Sequence, residues 1–215
     1  MKLFLDTADV KSVKARLSTG LISGITTNPT LIFKSGRHPQ TVYQELIDLG
    51  IDDISMEVVG DSEEELFKNA MGHVKTYDSK ATIKLPCTID GLKACKRLST
   101  VNVRTNVTLI FSPAQAILAS LAGATYISPF IGRMDDNSLD GMKLINDISN
   151  VFTPNLISTK ILAASIRDPQ SVSTAFALGA DICTVPVGVF DRMYDHVLTD
   201  KGVEQFNRDH EATSN

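Results

Sequence analysis

The chain is short of the residues that hold metals or staple folds. Its three cysteines, Cys87, Cys95 and Cys183, are odd in number and show no zinc spacing. They read as reduced thiols, and the expected location is the cytoplasm. The four histidines, His38, His73, His196 and His210, are scattered and form no H-x-x-x-H pair. A protein metal site is therefore not expected, and no cofactor is called for. No apolar run approaches the roughly 18 residues of a transmembrane helix. Met1-Lys2-Leu3-Phe4-Leu5-Asp6 meets a carboxylate too early for a signal peptide. The formal net charge is only -4, which gives no electrostatic reason to expect nucleic acid or an anionic membrane as partner. An anionic small molecule would need a local basic site. Low-complexity tracts and repeats of 20–50 residues are also missing.

What is present is an alternation. The 215 residues, 43% hydrophobic and 21% charged, suit one well-cored domain rather than two. Short apolar runs alternate with amphipathic stretches. The candidate strands are Lys2–Asp6, Ile22–Thr26, Asp53–Glu57, Thr82–Leu85, Val103–Thr108, Ala124–Ser128, Leu156–Lys160 and Asp181–Val185. Helical patterns cover Asp9–Leu17, His38–Leu49, Ser62–Tyr77, Ile89–Leu98, Ser112–Leu121, Ser138–Val151 and Asp168–Leu178. Asp9, Ser62, Ser112 and Asp168 stand where N-caps belong, and Gly50, Gly123 and Gly179 where helices close. Eight such units predict a parallel sheet closed into a (β/α)₈ barrel spanning residues 1–215. An open doubly wound sheet would want a glycine-rich turn after the first strand, and Leu5-Asp6-Thr7-Ala8-Asp9 has none. Beyond the eighth strand, Val189–Val197 reads as one helix, followed by a helical tail over residues 199–211. The last residues, Ala212–Asn215, are expected to fray.

Thr82-Ile83-Lys84-Leu85-Pro86 is the stretch around which the rest is organised. It reads as a buried strand carrying one cation. Removing an ammonium from water is costly, and a site that does so favours the neutral amine, the nucleophile of Schiff-base chemistry. The plainer reading is a lysine at a strand end that snorkels to solvent.

Active sites of such barrels sit at the carboxyl ends of the strands. The polar residues there are Asp6, Thr26 with Asn28, Glu57, Lys84, Asn106 with Thr108, Ser128 and Ser165. Most of these types are common turn formers, but Glu57 and Lys84 are not. They are either a structural ion pair at the rim or a working one. Buried pairs are often neutral for stability, which leaves room for a second reason. In the working version Lys84 attacks a ketose carbonyl, and Asp6 and Glu57 handle the proton transfers. Asn28, Asn106, Thr108 and Ser128 then hold sugar hydroxyls, with Glu57 and Thr108 sharing a water. Arg133 and Arg167, with Ser165, suit a phosphate dianion near the usual phosphate site of these barrels; singly, each arginine also reads as a solvated surface residue.

Leu5-Asp6-Thr7, Gly24-Ile25-Thr26-Thr27-Asn28-Pro29-Thr30, Ile83-Lys84-Leu85-Pro86, Thr105-Asn106-Val107-Thr108-Leu109-Ile110-Phe111-Ser112, Ser128–Arg133 and Ala163–Arg167 together resemble the transaldolase family. The likeness is to its short bacterial branch, which includes the fructose-6-phosphate aldolases, and it reaches into Leu198–Phe206. The resemblance implies a metal-free class I barrel with Lys84 as Schiff-base lysine and Asp6 and Glu57 as acid/base carboxylates. It makes Thr26, Asn28, Asn106, Thr108 and Ser128 substrate-positioning residues, and Arg133, Ser165 and Arg167 the phosphate site. Within the branch, Glu57 and Phe130 match transaldolases, where the aldolases carry glutamine and tyrosine. Implied with this are sugar-phosphate substrates, the non-oxidative pentose phosphate pathway and a homo-oligomer, pentamer or decamer. The alternatives are an aldolase that releases free dihydroxyacetone and a non-catalytic sugar-phosphate-binding barrel. Leu85, Pro186-Val187-Gly188 and His210 depart from the branch's usual pattern.

Overall fold

In the computed structural model, which describes residues 1–213, eight parallel strands close into a barrel in sequence order. The first half runs β1 (Lys2–Asp6), α1 (Val10–Leu17), β2 (Ile22–Thr26), α2 (Pro29–Ser35), α3 (Pro39–Asp48), β3 (Ile54–Glu57), α4 (Glu63–Tyr77) and β4 (Ala81–Pro86). Then come α5 (Ile89–Thr100), β5 (Thr105–Ile110), α6 (Pro113–Leu121), β6 (Tyr126–Pro129), α7 (Ile131–Asp136) and α8 (Gly141–Phe152). The chain ends with β7 (Lys160–Ala163), α9 (Pro169–Ala177), β8 (Ile182–Val185), α10 (Val187–Arg192) and α11 (Val197–Thr213). The ring closes where β1 pairs with β8, Leu3 opposite Cys183.

Local chemistry sets most of these boundaries. Asp9, Ser62, Ser112 and Asp168 each accept a backbone N–H in the first turn of the helix they open, a cap worth about 1 kcal/mol. Gly123 and Gly179 follow their helices at φ 87° and 102°, the left-handed region where only glycine lacks a Cβ penalty.

Several expectations are corrected. The seventh strand is Lys160–Ala163, not Leu156–Lys160. Leu156 sits exposed at φ 53°, and the run that packs is Ile161–Ala163. The helix expected from Ser138 opens at Gly141, because Asp140 provides the cap and Ser138 turns at φ 59°. Val189–Val197 is not one helix: α10 ends at Arg192, and α11 opens at Val197 and takes in the expected tail. Two short helices, α2 and α7, lie outside the expected helical stretches; Asn28 caps α2 and Pro29 opens it. None of the described residues of α11 is buried. Ala212 and Thr213 are helical, and Ser214 and Asn215 lie outside the described residues.

Two apolar clusters form. The larger lies between sheet and helices. The smaller, Phe4, Tyr126, Leu162, Ala164 and Ile182, fills one arc of the barrel interior. A Cβ on Gly24 would lie 2.6 Å from the Phe4 ring, so glycine there is what lets that ring occupy the centre. The opposite arc is polar. Asp53, at the amino end of the barrel, accepts from Thr82 and from Tyr126, each at 2.7 Å, and pairs with Arg104 at 3.1 Å. That network closes the floor and leaves the carboxyl end open for chemistry. Among the described residues, no helix is long and apolar enough to cross a membrane.

Candidate active site

Lys84 does not snorkel. Its side chain is 6% exposed, with Nζ 3.1 Å from Glu57 Oε2 and 3.0 Å from the Thr27 carbonyl oxygen. The register sets this up: Glu57 faces Lys84 across β3 and β4, and Lys84 faces Asn106 across β4 and β5. Parallel partners in register put their side chains on one face of the sheet, here the interior. The Thr27 carbonyl is itself held, because the Thr27 N–H and hydroxyl both donate to the Ser55 carbonyl, at 3.1 and 2.9 Å.

Asp6 completes the charged group from β1. Burial raises its carboxyl above the ordinary carboxylate range; the Lys84 charge and a Thr26 hydrogen bond pull the other way without overcoming it, and Glu57 adds to the rise. The Thr26 hydroxyl donates to Asp6 Oδ1 at 2.8 Å and lies 2.7 Å from the Thr184 hydroxyl. An acid whose ionisation is delayed, beside a cation, is suited to proton transfer.

Lys84 and Asp6 open on a pocket of about 170 Å³ whose wall also includes Thr26, Asn28, Ser128 and Thr184, while Glu57 stands behind Lys84 and is not part of that wall. Asn28 Oδ1 accepts from the Leu31 N–H at 2.9 Å, so one side chain both caps α2 and faces the pocket. Asn106 is placed differently from expectation. It is fully buried, donates to Ser55 Oγ at 3.1 Å and accepts from Ser128 Oγ at 2.7 Å. It therefore orients Ser128 from behind and is not itself part of the pocket wall. Thr108 Oγ1 is buried with no protein partner, the one such side-chain atom among the described residues. A larger hollow, about 890 Å³, lies between α1, α2 and α3. The charged residues of the strand ends are not among its walls.

The far end of the pocket carries Phe130, Arg133, Ala164 and Ser165. The α7 N-terminus is pressed onto the loop after β7: the Ile131 and Gly132 N–H groups donate to the Ala164 and Ser165 carbonyls at 3.0 and 3.1 Å. A Cβ on residue 132 would meet the Ser165 carbonyl oxygen at 2.3 Å. Arg133 reaches the pocket with its guanidinium 5.0 Å above the Phe130 ring. Arg167 is not brought into the wall. Both of its Nη atoms bond the Asp136 carboxylate, half in solvent. Its Nε lies beside Gly132.

Thr184 and the supporting Thr27 and Ser55 were not singled out from the sequence. A signal for Thr184 existed: it interrupts Ile182-Cys183-Thr184-Val185 just as Thr26 interrupts β2.

The geometry agrees with comparison to known proteins. The sequence model of the family described as Transaldolase/Fructose-6-phosphate aldolase matches residues 3–215. A protein of Symbiobacterium thermophilum named "Probable transaldolase" is 46% identical over 212 residues, covering 99% of this chain and 98% of its own. Proteins of the same name from Geobacter sulfurreducens, 46% identical with 99% of each chain covered, and from Clostridium kluyveri, 48% identical with 99% and 98% covered, match as fully. With the fold, the strand-end constellation and these relatives in agreement, the chain belongs to the transaldolase/fructose-6-phosphate aldolase family.

Proposed function

We propose that this chain is a transaldolase, moving a dihydroxyacetone unit from sedoheptulose 7-phosphate to glyceraldehyde 3-phosphate, with erythrose 4-phosphate and fructose 6-phosphate as products. The observation that carries the reading is the buried Lys84 amine, held between Glu57 and the Thr27 carbonyl in the wall of a pocket shared with Asp6.

The amine adds to the ketose carbonyl, and the carbinolamine loses water to an iminium. Glu57 serves the proton transfers of that dehydration, with a water held between it and the otherwise unpartnered Thr108 hydroxyl. Asp6 then takes the proton of the substrate's C4 hydroxyl. The C3–C4 bond breaks, its electrons flow to the iminium nitrogen, and an aldose phosphate leaves. The remaining enamine attacks the acceptor aldehyde, Asp6 returns the proton to the new hydroxyl, and water releases the ketose. The raised carboxyl of Asp6 suits it to take up a proton and give it back. Holding the reacting atoms in one pocket converts both bond-making steps into unimolecular ones.

Ser128, supported by Asn106, and Asn28 take sugar hydroxyls, while Arg133 and Ser165 take the phosphate. Glu57 and Phe130 favour transfer over release. With no phenol at position 130, the enamine has one proton donor fewer and survives until an acceptor arrives. The family likeness also carries a cytoplasmic homo-oligomer, which light scattering and fractionation test.

Borohydride reduction in the presence of fructose 6-phosphate, followed by mass mapping, is expected to mark Lys84. Glyceraldehyde 3-phosphate release from fructose 6-phosphate is expected to depend on added erythrose 4-phosphate. Equal rates with and without it would replace the transaldolase reading with the aldolase one.

A further inference from the structure

Thr184 brings a buried hydroxyl into the pocket wall that the reaction above leaves without a task. Its Oγ1 lies 2.7 Å from Thr26 Oγ1, and Thr26 Oγ1 lies 2.8 Å from Asp6 Oδ1. Three adjacent strands, β8, β1 and β2, of which β8 meets β1 only through ring closure, thus contribute one continuous chain of oxygens. Both threonines are 2% exposed, so bulk water does not compete for these bonds.

Each hydroxyl owns a single proton, whereas an ionised carboxylate can only accept. While Asp6 is ionised, the proton of Thr26 must point to Asp6 Oδ1. Thr26 Oγ1 is then an acceptor towards Thr184, so the proton of Thr184 must point to Thr26. The chain runs one way, and each donor strengthens the next. Two things follow for the pocket. Oδ1 already accepts a hydrogen bond that lowers its basicity, which makes Oδ2 the more basic oxygen and the one that takes a proton from substrate. Thr184 Oγ1 turns only lone pairs to the pocket, so it supplies no proton there and acts through Thr26.

We propose that Thr184 is a positioning residue for Asp6, acting through Thr26, which commits Asp6 Oδ2 to the proton of the C–C bond-breaking step. This rests on the Schiff-base reading of the site. The groups that face Asp6 are Lys84 and Glu57 as charges and Thr26 as hydrogen-bond donor. Removing the Thr184 hydroxyl loosens only the last of these. A weaker donor to the carboxylate favours its protonated form, so the acid limb of the activity profile moves to higher pH.

The test compares Thr184→Val, which keeps the shape and removes the hydroxyl, with Thr184→Ser, which keeps the hydroxyl. Turnover of fructose 6-phosphate with erythrose 4-phosphate is measured across pH, alongside borohydride trapping and thermal melts. For Thr184→Val, kcat is expected to fall about fivefold to tenfold, the loss of one hydrogen bond, with KM within about twofold. The acid limb moves up, and the Lys84 adduct persists because the imine forms before the step affected. Thr184→Ser restores both kcat and the acid limb. An unmoved acid limb in Thr184→Val, or equal losses in the valine and serine variants, overturns the proposal. Thr184→Ala carries the same comparison if the valine variant does not fold. Failure of the wild-type enzyme to form an adduct at Lys84 overturns the Schiff-base reading itself, and this proposal with it. An adduct with an unmoved limb overturns this proposal alone.

Discussion

Replacing Lys84 by methionine keeps an apolar stem of similar length and removes the Nζ that touches Glu57 and Thr27. Two acceptors lose their donor: a carboxylate 18% exposed at the side chain and a carbonyl oxygen in the barrel wall. Breaking a buried pair from one side costs about 3–5 kcal/mol when the other charge stays dry. Glu57 keeps some access to water and one buried ammonium is gone, so the net cost is about 2 kcal/mol. For a chain of this size that lowers the melting temperature by roughly 4–8 °C. The loss also depends on pH. Lys84 is the largest influence holding the Asp6 carboxyl down against burial, so its removal lets that carboxyl rise further. A carboxyl that binds its proton more tightly folded than unfolded stabilises the fold below the ordinary carboxylate range, and that contribution disappears as pH rises through the folded value. Melting of Lys84→Met should therefore fall further below wild type at pH 8 than at pH 5. Calorimetry at both pH values, with borohydride trapping on the same samples, reads out both halves. An adduct that survives in the variant refutes the role of Lys84. A melting difference that is the same at both pH values refutes the electrostatic coupling to Asp6.

Arg133→Ala is expected to raise KM for phosphorylated ketoses by roughly 10- to 100-fold, the loss of a charge-assisted bond of about 1.5–3 kcal/mol, while sparing dihydroxyacetone as donor. Arg167→Ala should cost less, since that guanidinium is already engaged by Asp136; equal penalties on phosphorylated and unphosphorylated donors would make either arginine structural. Phe130→Tyr, alone or with Glu57→Gln, should increase free dihydroxyacetone released from fructose 6-phosphate, and an unchanged product ratio in coupled assays would mean that residue 130 only fills volume. Tyr126→Phe removes one of the bonds to Asp53 on the barrel floor and should lower the melting temperature by roughly 2–4 °C, about 1 kcal/mol, with kcat unchanged; a fall in kcat would contradict the separation of floor and site.

The barrel was legible because its signals are local: apolar runs, caps at Asp9, Ser62, Ser112 and Asp168, and glycines after the helices. The misplaced seventh strand shows the limit of such signals. Leu156 and Ile157 have strand-forming side chains, but burial is decided by the neighbours, and those favour Ile161 to Ala163. The break after Arg192 was hidden for the same reason, since Val189 to Val197 carries no proline or glycine to mark it. At the site, strand-end polarity located Asp6, Glu57, Lys84 and Ser128, because a parallel barrel gathers those ends in one place. It could not rank them by depth. Asn106 and Arg167 have the right chemistry and the right place in the chain, yet one is held behind the wall by Ser55 and the other is engaged by Asp136. These are side-chain choices between competing partners far apart in sequence, and no periodicity records them.

Closure of the ring by β1 and β8 sets the timetable by which this protein becomes active. Lys2 pairs with Ile182, so the first strand made waits for nearly the whole chain, about 10–40 s at ordinary rates of synthesis. Contacts of such long range are slow to form even in a complete chain, because the entropy of closing the loop comes due before any pairing rewards it. The oxygen chain from Thr184 to Asp6 crosses that same seam. Lys84 and Glu57 meet across β3 and β4 alone, whereas the full support of Asp6 needs β8 as well. In a refolding experiment, the capacity to form the lysine adduct should return before turnover does.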